Sequence, residues 1–481
     1  MIKFQIVGFT IGALLTILGF SELVPAFMDW GESSNAYVFF ESAAACLFFG
    51  GALILANYRH TKELTAKEAF LLTTLSWFLI SIFAAIPLYL SDIHISYIDA
   101  FFEIVSGITT TGSTVLTGLD HMSHGILLWR SIVQWIGGIG IIGFALVFLP
   151  FLQVGGMQLF RTESSDKSEK IMPRTGHIAT AVLVVYLLLT GVFCVTYKIL
   201  GMNWFDAVNH SMTTIATAGY STHDASFGYF HSYSLDMAGS LFMIMSGLPF
   251  LLYVRLIYQG KFDFFRDDQF KAFVGMMAAF IGTMTIWLWY TSDYTLADSF
   301  RYSAFNIASV VSTCGYATTD YLKWGPYSAA FFLFASYLGA CAGSTSGGIK
   351  TMRIVICVKS VGKQIKNLIY PHGVFSVWYQ GAPLNDDVIN SVLGFLGLYV
   401  ISNAFFTFTL TLTGLDLATS MSAVATAFSN TGPGIGDTIG PAGNFAPLPD
   451  TAKLILCLCM ILGRLEIMTV FVLFTKGFWR A

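Results

Sequence analysis

The chain has 481 residues, 55% of them hydrophobic and 11% charged, with a formal net charge of −3 and a mean hydropathy of +0.68. No water-soluble globular domain has that balance, so the bilayer is its solvent. The net charge carries no nucleic-acid signal, and no basic patch has RNA or DNA spacing.

After Lys3 an apolar run extends to Phe20 without an obvious small-x-small cleavage site, and further apolar spans follow at once. It is therefore read as a first transmembrane helix rather than a signal peptide. Stretches long enough to cross a bilayer lie near 4–28, 36–57, 68–90, 125–152, 177–200, 232–258, 270–292, 326–358, 388–413 and 452–476. About ten spans make this an all-α polytopic membrane protein. Between members of four successive pairs sit shorter apolar segments, 97–109, 204–216, 299–312 and 416–429. Each is too short to cross, which predicts a half-helix that enters and returns.

Each short segment ends in a polar loop with one alignable glycine: TTTGST (109–114), TIATAGYST (214–222), VVSTCGYAT (310–318) and FSNTGPGIG (428–436). The glycines Gly112, Gly219, Gly315 and Gly432 are 107, 96 and 117 residues apart. Thirteen residues before them stand Asp99, Asp206, Tyr302 and Thr419, and two before stand Thr110, Thr217, Thr313 and Asn430. Four copies in phase with hydropathy mark an internal repeat. The expected units are two N-terminal helices (1–60) and pore repeats at 61–160, 161–262, 263–370 and 371–481, the third with a broken second helix.

Lys and Arg concentrate in four loops: Arg59, Lys62 and Lys67; Arg161, Lys167, Lys170 and Arg174; Arg255, Lys261, Arg266 and Lys271; and Lys350 to Lys366. With ten spans these fall on one side together with both termini, predicted to be cytoplasmic. The opposite loops carry Asp92, Asp120, Asp224, Asp293, Asp320, Asp437 and Asp450, an acidic mouth that concentrates cations.

Polar backbone at membrane depth is tolerated only in a wet cavity or inside protein. Four such loops suggest four walls of one pore, where a ring of carbonyls replaces the water of an alkali cation. Backbone carbonyls of Thr110, Thr111, Gly112, Thr217, Ala218, Gly219, Thr313, Cys314, Gly315, Asn430, Thr431 and Gly432 are the expected ligands. Glycine lets an extended, partly positive-φ backbone turn its carbonyls inward without a Cβ clash. The half-helices add their C-terminal carbonyl dipoles.

The four-copy pattern, the two leading helices, STHDASFGYF (221–230), GYATTDY (315–321), CAGSTSGGIK (341–350) and the SNTGPGIG segment resemble the Trk/Ktr/HKT superfamily of potassium uptake proteins, specifically its bacterial TrkH branch. The resemblance covers essentially the whole chain. It implies potassium uptake across the bacterial inner (cytoplasmic) membrane, with K+ as transported substrate and no organic cofactor in this chain. It also implies a homodimer with a pore in each protomer, embedded in membrane lipid, and a cytosolic nucleotide-binding RCK-type regulatory subunit, TrkA-like. In some relatives the first filter glycine is Ser and sodium is favoured, so Gly112 points to potassium.

The span 326–358 is interrupted by GACAGSTSGGIK, with Gly339, Gly343, Ser344, Thr345, Ser346, Gly347, Gly348 and Lys350. Four glycines and three hydroxyl residues cannot sustain a helix in mid-span. A polar plug below the filter is a natural gate, and the family's intramembrane loop occupies this position; the alternative is a plain kink. Arg464, with Glu466 two residues on, is costly at depth and reads as a contact to the Gly339–Gly348 loop, as a positive barrier below the filter, or as an Arg–carboxylate clamp between helices. Arg130 and Glu103 are read as structural. The seven Cys form no CxxC and read as core residues. No HExxH or acid dyad suggests an enzyme. A cation-coupled (H+ or Na+) potassium symporter is the rival reading, against which stand four copies of one orientation rather than inverted halves. No cytoplasmic loop carries GxGxxG, so nucleotide control is expected to arrive through the partner.

Overall fold

A computed structural model describes residues 4–31, 33–58, 65–148 and 175–480. The basic residues expected at Arg59, Lys62 and 161–174 lie outside the described residues. The N-terminal pair α1 (Phe4–Met28) and α2 (Asn35–Asn57) is followed by α3 (Ala66–Ala84) and α4 (Ile86–Leu90). Next come α5 (Tyr97–Ile108), α6 (His124–Phe148), α7 (Thr175–Ile199), α8 (Trp204–Ile215), α9 (Tyr233–Ser246) and α10 (Phe250–Gln259). Then α11 (Asp268–Thr291), α12 (Leu296–Val311), α13 (Pro326–Tyr337) and α14 (Thr351–Ile369) follow. A two-stranded hairpin, β1 (Trp378–Tyr379) and β2 (Ala382–Pro383), precedes α15 (Asp386–Thr411), α16 (Leu417–Ser429), α17 (Asp450–Arg464) and α18 (Ile467–Phe471).

Seven helices among the described residues are long and apolar enough to cross a membrane, and nine passages result when two bent pairs are each taken as one. The helices α13 and α14, on either side of the 338–350 loop, fill the place of the tenth expected span. Two of the expected spans are bent. The 232–258 passage turns by 91° between α9 and α10, where Gly247 and Pro249 stand, because Pro cannot continue the hydrogen-bond ladder. The 452–476 passage turns by 107° between α17 and α18, at Glu466 with φ +62.

The outward faces of the spans are apolar: Phe48, Val400 and Phe408 are all at least 65% exposed. Inside, two large cores divide the molecule. One joins the N-terminal helices to the first and fourth glycine-loop units, and the other joins the second to the third. Small residues allow close approach where helices cross. A methyl group built on Gly12 of α1 would stand 2.8 Å from the carbonyl oxygen of Gly50 of α2.

The four short helices form as expected, each starting from a side-chain cap. Ser96, Asn203, Thr295 and Asp416 accept the amide protons of Asp99, Asp206, Asp298 and Thr419 at 3.1, 2.7, 3.1 and 3.0 Å. The third copy departs from the sequence alignment. Its capped first-turn residue is Asp298, not Tyr302, because α12 has 16 residues where α5 and α8 have 12. The extra turn lies at its start, so its end keeps register with Gly315.

Candidate functional site

All four short helices end the same way. The residue two before each glycine is left-handed: Thr110, Thr217, Thr313 and Asn430 have φ of +54, +50, +62 and +53. The glycines Gly112, Gly219, Gly315 and Gly432 follow at +86, +77, +91 and +100. The amides of Thr111, Ala218, Cys314 and Thr431 each bond to the carbonyl five residues earlier, at 2.8, 2.9, 2.8 and 3.0 Å. The amides of Thr110, Thr217, Thr313 and Asn430 bond to the carbonyl three residues earlier. This is the Schellman termination, which normally places glycine at the left-handed position. Here three of the four are threonine, whose branched Cβ makes the conformation cost on the order of 1–3 kcal/mol, a strain held by the surroundings.

The loops meet as a closed ring. A Cβ built on Gly112 would strike the carbonyl oxygen of Ala218, one on Gly219 that of Cys314, one on Gly315 that of Thr431, and one on Gly432 that of Thr111, each closer than 3.0 Å. Loop one thus abuts loop two, two abuts three, three abuts four, and four returns to one. All four glycines line a single vestibule of ≈ 570 Å³. The twelve residues expected as ion ligands are therefore brought together. The carbonyl of Ala218 also accepts a hydrogen bond from Gln134 Nε2 at 2.8 Å, which fixes its direction.

Side chains hold this backbone from behind. Gln134 donates to Ala218 and accepts the amide of Tyr220 at 3.1 Å. Arg130, fully buried, pairs with Glu103 at 2.9 Å, donates to the carbonyl of Ser221 at 3.0 Å and lies over the Tyr220 ring at 4.1 Å. Glu103 in turn accepts the Val115 amide at 2.9 Å. The pair thus ties the outer ends of loops one and two together. Arg130 reads as structural from sequence, and its place in the site shows only here. The available signal was Arg130 and Gln134 four apart on one face of a span. Asn430 Nδ2 donates to Thr111 Oγ1 at 3.0 Å and to the Met460 carbonyl at 3.0 Å, while Thr110 Oγ1 is buried with no hydrogen-bond partner among the described residues.

The segment between α13 and α14 packs against the inner side of this ring. Gly339 donates its amide to the carbonyl of Ile349 at 2.9 Å, closing the loop's neck. Thr345 donates to the Ile215 carbonyl at 2.9 Å and lies 3.2 Å from Thr217 Oγ1. Ser346 meets Thr313 Oγ1 at 3.1 Å, and the Gly347 amide donates to the same hydroxyl at 2.7 Å. A Cβ on Gly347 would collide with the Ser429 carbonyl. Hydroxyls of two left-handed threonines, Thr217 and Thr313, therefore face this loop. The Phe250 amide donates to Gly343 at 2.9 Å, anchoring the loop to α10.

Below the loop opens a second cavity of ≈ 930 Å³, lined by Gly343, Ser344, Ser346, Gly347, Gly348, Lys350 and Arg464 among others. Lys350 Nζ donates to the Ser346 carbonyl. The expectation of Glu466 beside Arg464 as a clamp is corrected. Glu466 gives both oxygens to Arg353 at 2.7 Å, because the break after α17 turns it away. Arg464 is 5% exposed, and none of its three nitrogens has a hydrogen-bond partner among the described residues.

In the vestibule His223 lies between Asp120 (2.5 Å) and Asp206 (3.2 Å) and stacks on Tyr229. Burial lowers the pKa of this imidazole, but the hydrogen bonds to the two carboxylates outweigh it and the net shift is upward. Partial desolvation raises Asp120, but its hydrogen bond from His223 and its neighbours carry the net shift downward. No group of three or more His, Cys, Asp or Glu suited to a metal occurs among the described residues.

A family model described as TrkH, cation transport protein, matches residues 35–479. Among curated relatives, the Trk system potassium uptake protein TrkI of Halomonas elongata is 44% identical over 98% of this chain and 96% of its own. The Trk system potassium uptake protein TrkH of Escherichia coli is 34% identical over 99% of each. The crystal structure of the potassium transporter TrkH from Vibrio parahaemolyticus superposes with a TM-score of 0.92 at 33% identity, covering 100% of both chains.

Proposed function

The chain belongs to the TrkH family of cation transport proteins, and we propose that it takes up potassium through the ring of glycine loops. The carrying observation is the identical left-handed, then glycine, backbone at four places, closed loop against loop. Such a ring offers uncharged carbonyl oxygens in several layers, which bind a dehydrated monovalent cation without trapping it. The C-terminal ends of four short helices add negative partial charge on the inner side. Carbonyls from Thr110 to Gly112, Thr217 to Gly219, Thr313 to Gly315 and Asn430 to Gly432 are the ligands of this reading. Because Thr111, Ala218, Cys314 and Thr431 differ, the ring has only approximate fourfold symmetry.

The loop from Gly339 to Lys350 is the gate. Its support is position: it lies against Thr217, Thr313 and Ser429, between the ring and the cavity that holds Lys350 and Arg464. It leads straight into α14, whose Lys359, Lys363 and Lys366 belong to the predicted cytoplasmic face. A cytosolic nucleotide-binding subunit docked there could pull on α14 and bias the loop. Each protomer of a homodimer would hold one pore, in the inner membrane with both termini inside. The four units would begin near residues 61, 161, 263 and 371.

Potassium, rubidium and sodium fluxes in liposomes, measured against set gradients, test the proposal. Potassium and rubidium moving down their own gradients, with sodium excluded, is the expected result. Uphill potassium driven by a proton or sodium gradient would favour the symporter instead.

A further inference from the structure

The cavity beneath the intramembrane loop has an unbalanced charge. Among the described residues its walls carry Lys350, Arg353 and Arg464 against one carboxylate, Glu466. That carboxylate is committed to Arg353 through both oxygens at 2.7 Å. The Lys350 ammonium donates to the Ser346 carbonyl. Arg464 is 95% buried, lines the cavity and has three nitrogens without a hydrogen-bond partner among the described residues. A buried guanidinium left uncompensated is strongly unfavourable. Glu466, the nearest carboxylate in sequence, is already paired elsewhere.

We propose that Arg464 and Lys350 form a binding site for a small phosphate-type oxyanion entering from the cytoplasmic side. A guanidinium offers parallel N–H groups that match two oxygens of a tetrahedral anion, and an ammonium adds a point charge beside them. Arg464 and Lys350 line the same cavity. The inference rests on the reading that this cavity belongs to the cation path. Two positive charges below a carbonyl ring repel an emerging cation, and a bound anion cancels that repulsion. Phosphate therefore acts here as a permissive ligand: it raises cation flux without touching the ring that selects the ion. The same phosphoryl chemistry is also offered by an anionic lipid headgroup.

The test uses the full chain. Calorimetry measures binding of inorganic phosphate to purified protein. Rubidium flux is then measured in zwitterionic vesicles as phosphate replaces a bulky sulfonate at constant ionic strength. Saturable binding is expected, with flux rising over the same phosphate range. Arg464→Gln should weaken binding about tenfold or more, the loss of a charge-assisted hydrogen bond, and make flux independent of phosphate. Arg464→Lys keeps the charge without the fork and should bind with intermediate affinity, which covers the case of a glutamine variant that does not fold. Lys323→Gln, on an exposed outer loop, should bind as the parent does. Absence of phosphate binding, or equal binding by parent and Arg464→Gln protein, overturns the site. Flux that responds only when vesicles contain phosphatidic acid assigns the site to lipid and overturns the free anion. Because binding is read without flux, a failed conduction reading and a failed anion site give different results.

Discussion

Replacing Gly112 by serine tests the ring most directly. At φ +86 the new side chain incurs the left-handed penalty, about 1–2 kcal/mol for an L-residue. Its Cβ also runs into the carbonyl oxygen of Ala218. That carbonyl cannot move freely, because Gln134 holds it at 2.8 Å. The strain must then be relieved by shifting ring carbonyls. If about 1–2 kcal/mol is lost from potassium binding and not from sodium binding, discrimination falls by about 5- to 30-fold. The four positions also predict an order. Contact is tightest at Gly219 and loosest at Gly432, where a methyl group built on the glycine would stand 2.9 Å from the Thr111 oxygen. Serine at 219 should therefore be the most damaging and at 432 the mildest. The assay is potassium, rubidium and sodium flux into liposomes from protein that elutes as a single symmetric species. Unchanged selectivity in well-folded Gly112→Ser protein would refute the ring as the selecting element.

Deleting residues 343–347 should raise flux and leave ion preference alone, since the contacts to Thr217 and Thr313 go while the ring carbonyls stay; flux equal to or below the parent's in assembled protein speaks against a gate. Glu103→Gln leaves Arg130 charged and buried, so it should destabilise the protein by about 3–5 kcal/mol, read as a lower thermal midpoint in detergent; an unchanged midpoint would mean the pair carries little. The raised imidazole of His223 contributes stability fully below its ordinary value near 6.5 and loses it as pH rises through the higher folded value. The difference in thermal midpoint between parent and His223→Gln should accordingly shrink as pH is raised from below 6.5, and a constant difference would show that the link to Asp120 and Asp206 is not ionic. Nucleotide added to the isolated chain should give no heat in calorimetry, and a saturable signal would remove the need for a regulatory partner.

Hydropathy alone determined that this chain lives in a bilayer, because burial in lipid demands long apolar helices whatever their neighbours are. The four short helices, too, were legible to within a few residues: their caps and their closing polar residues act locally, within one turn of chain. Gly112, Gly219, Gly315 and Gly432 stood out because a positive φ restricts residue type at a single position. What sequence could not carry was anything set by contact between distant segments. The bend at Gly247–Pro249 had a local signal in its proline, but Glu466 leaves Arg464 for Arg353, 113 residues away. The extra turn of α12 stayed hidden because Asp298 and Tyr302 are both acceptable in a first turn. Arg130, Glu103 and Gln134 gave only the signal of polar residues in apolar surroundings. The partners of Arg130 and Gln134 in the loops, the carbonyls of Ser221 and Ala218, are backbone atoms. Any residue type presents the same carbonyl, so only the tertiary structure decides which one a buried side chain reaches.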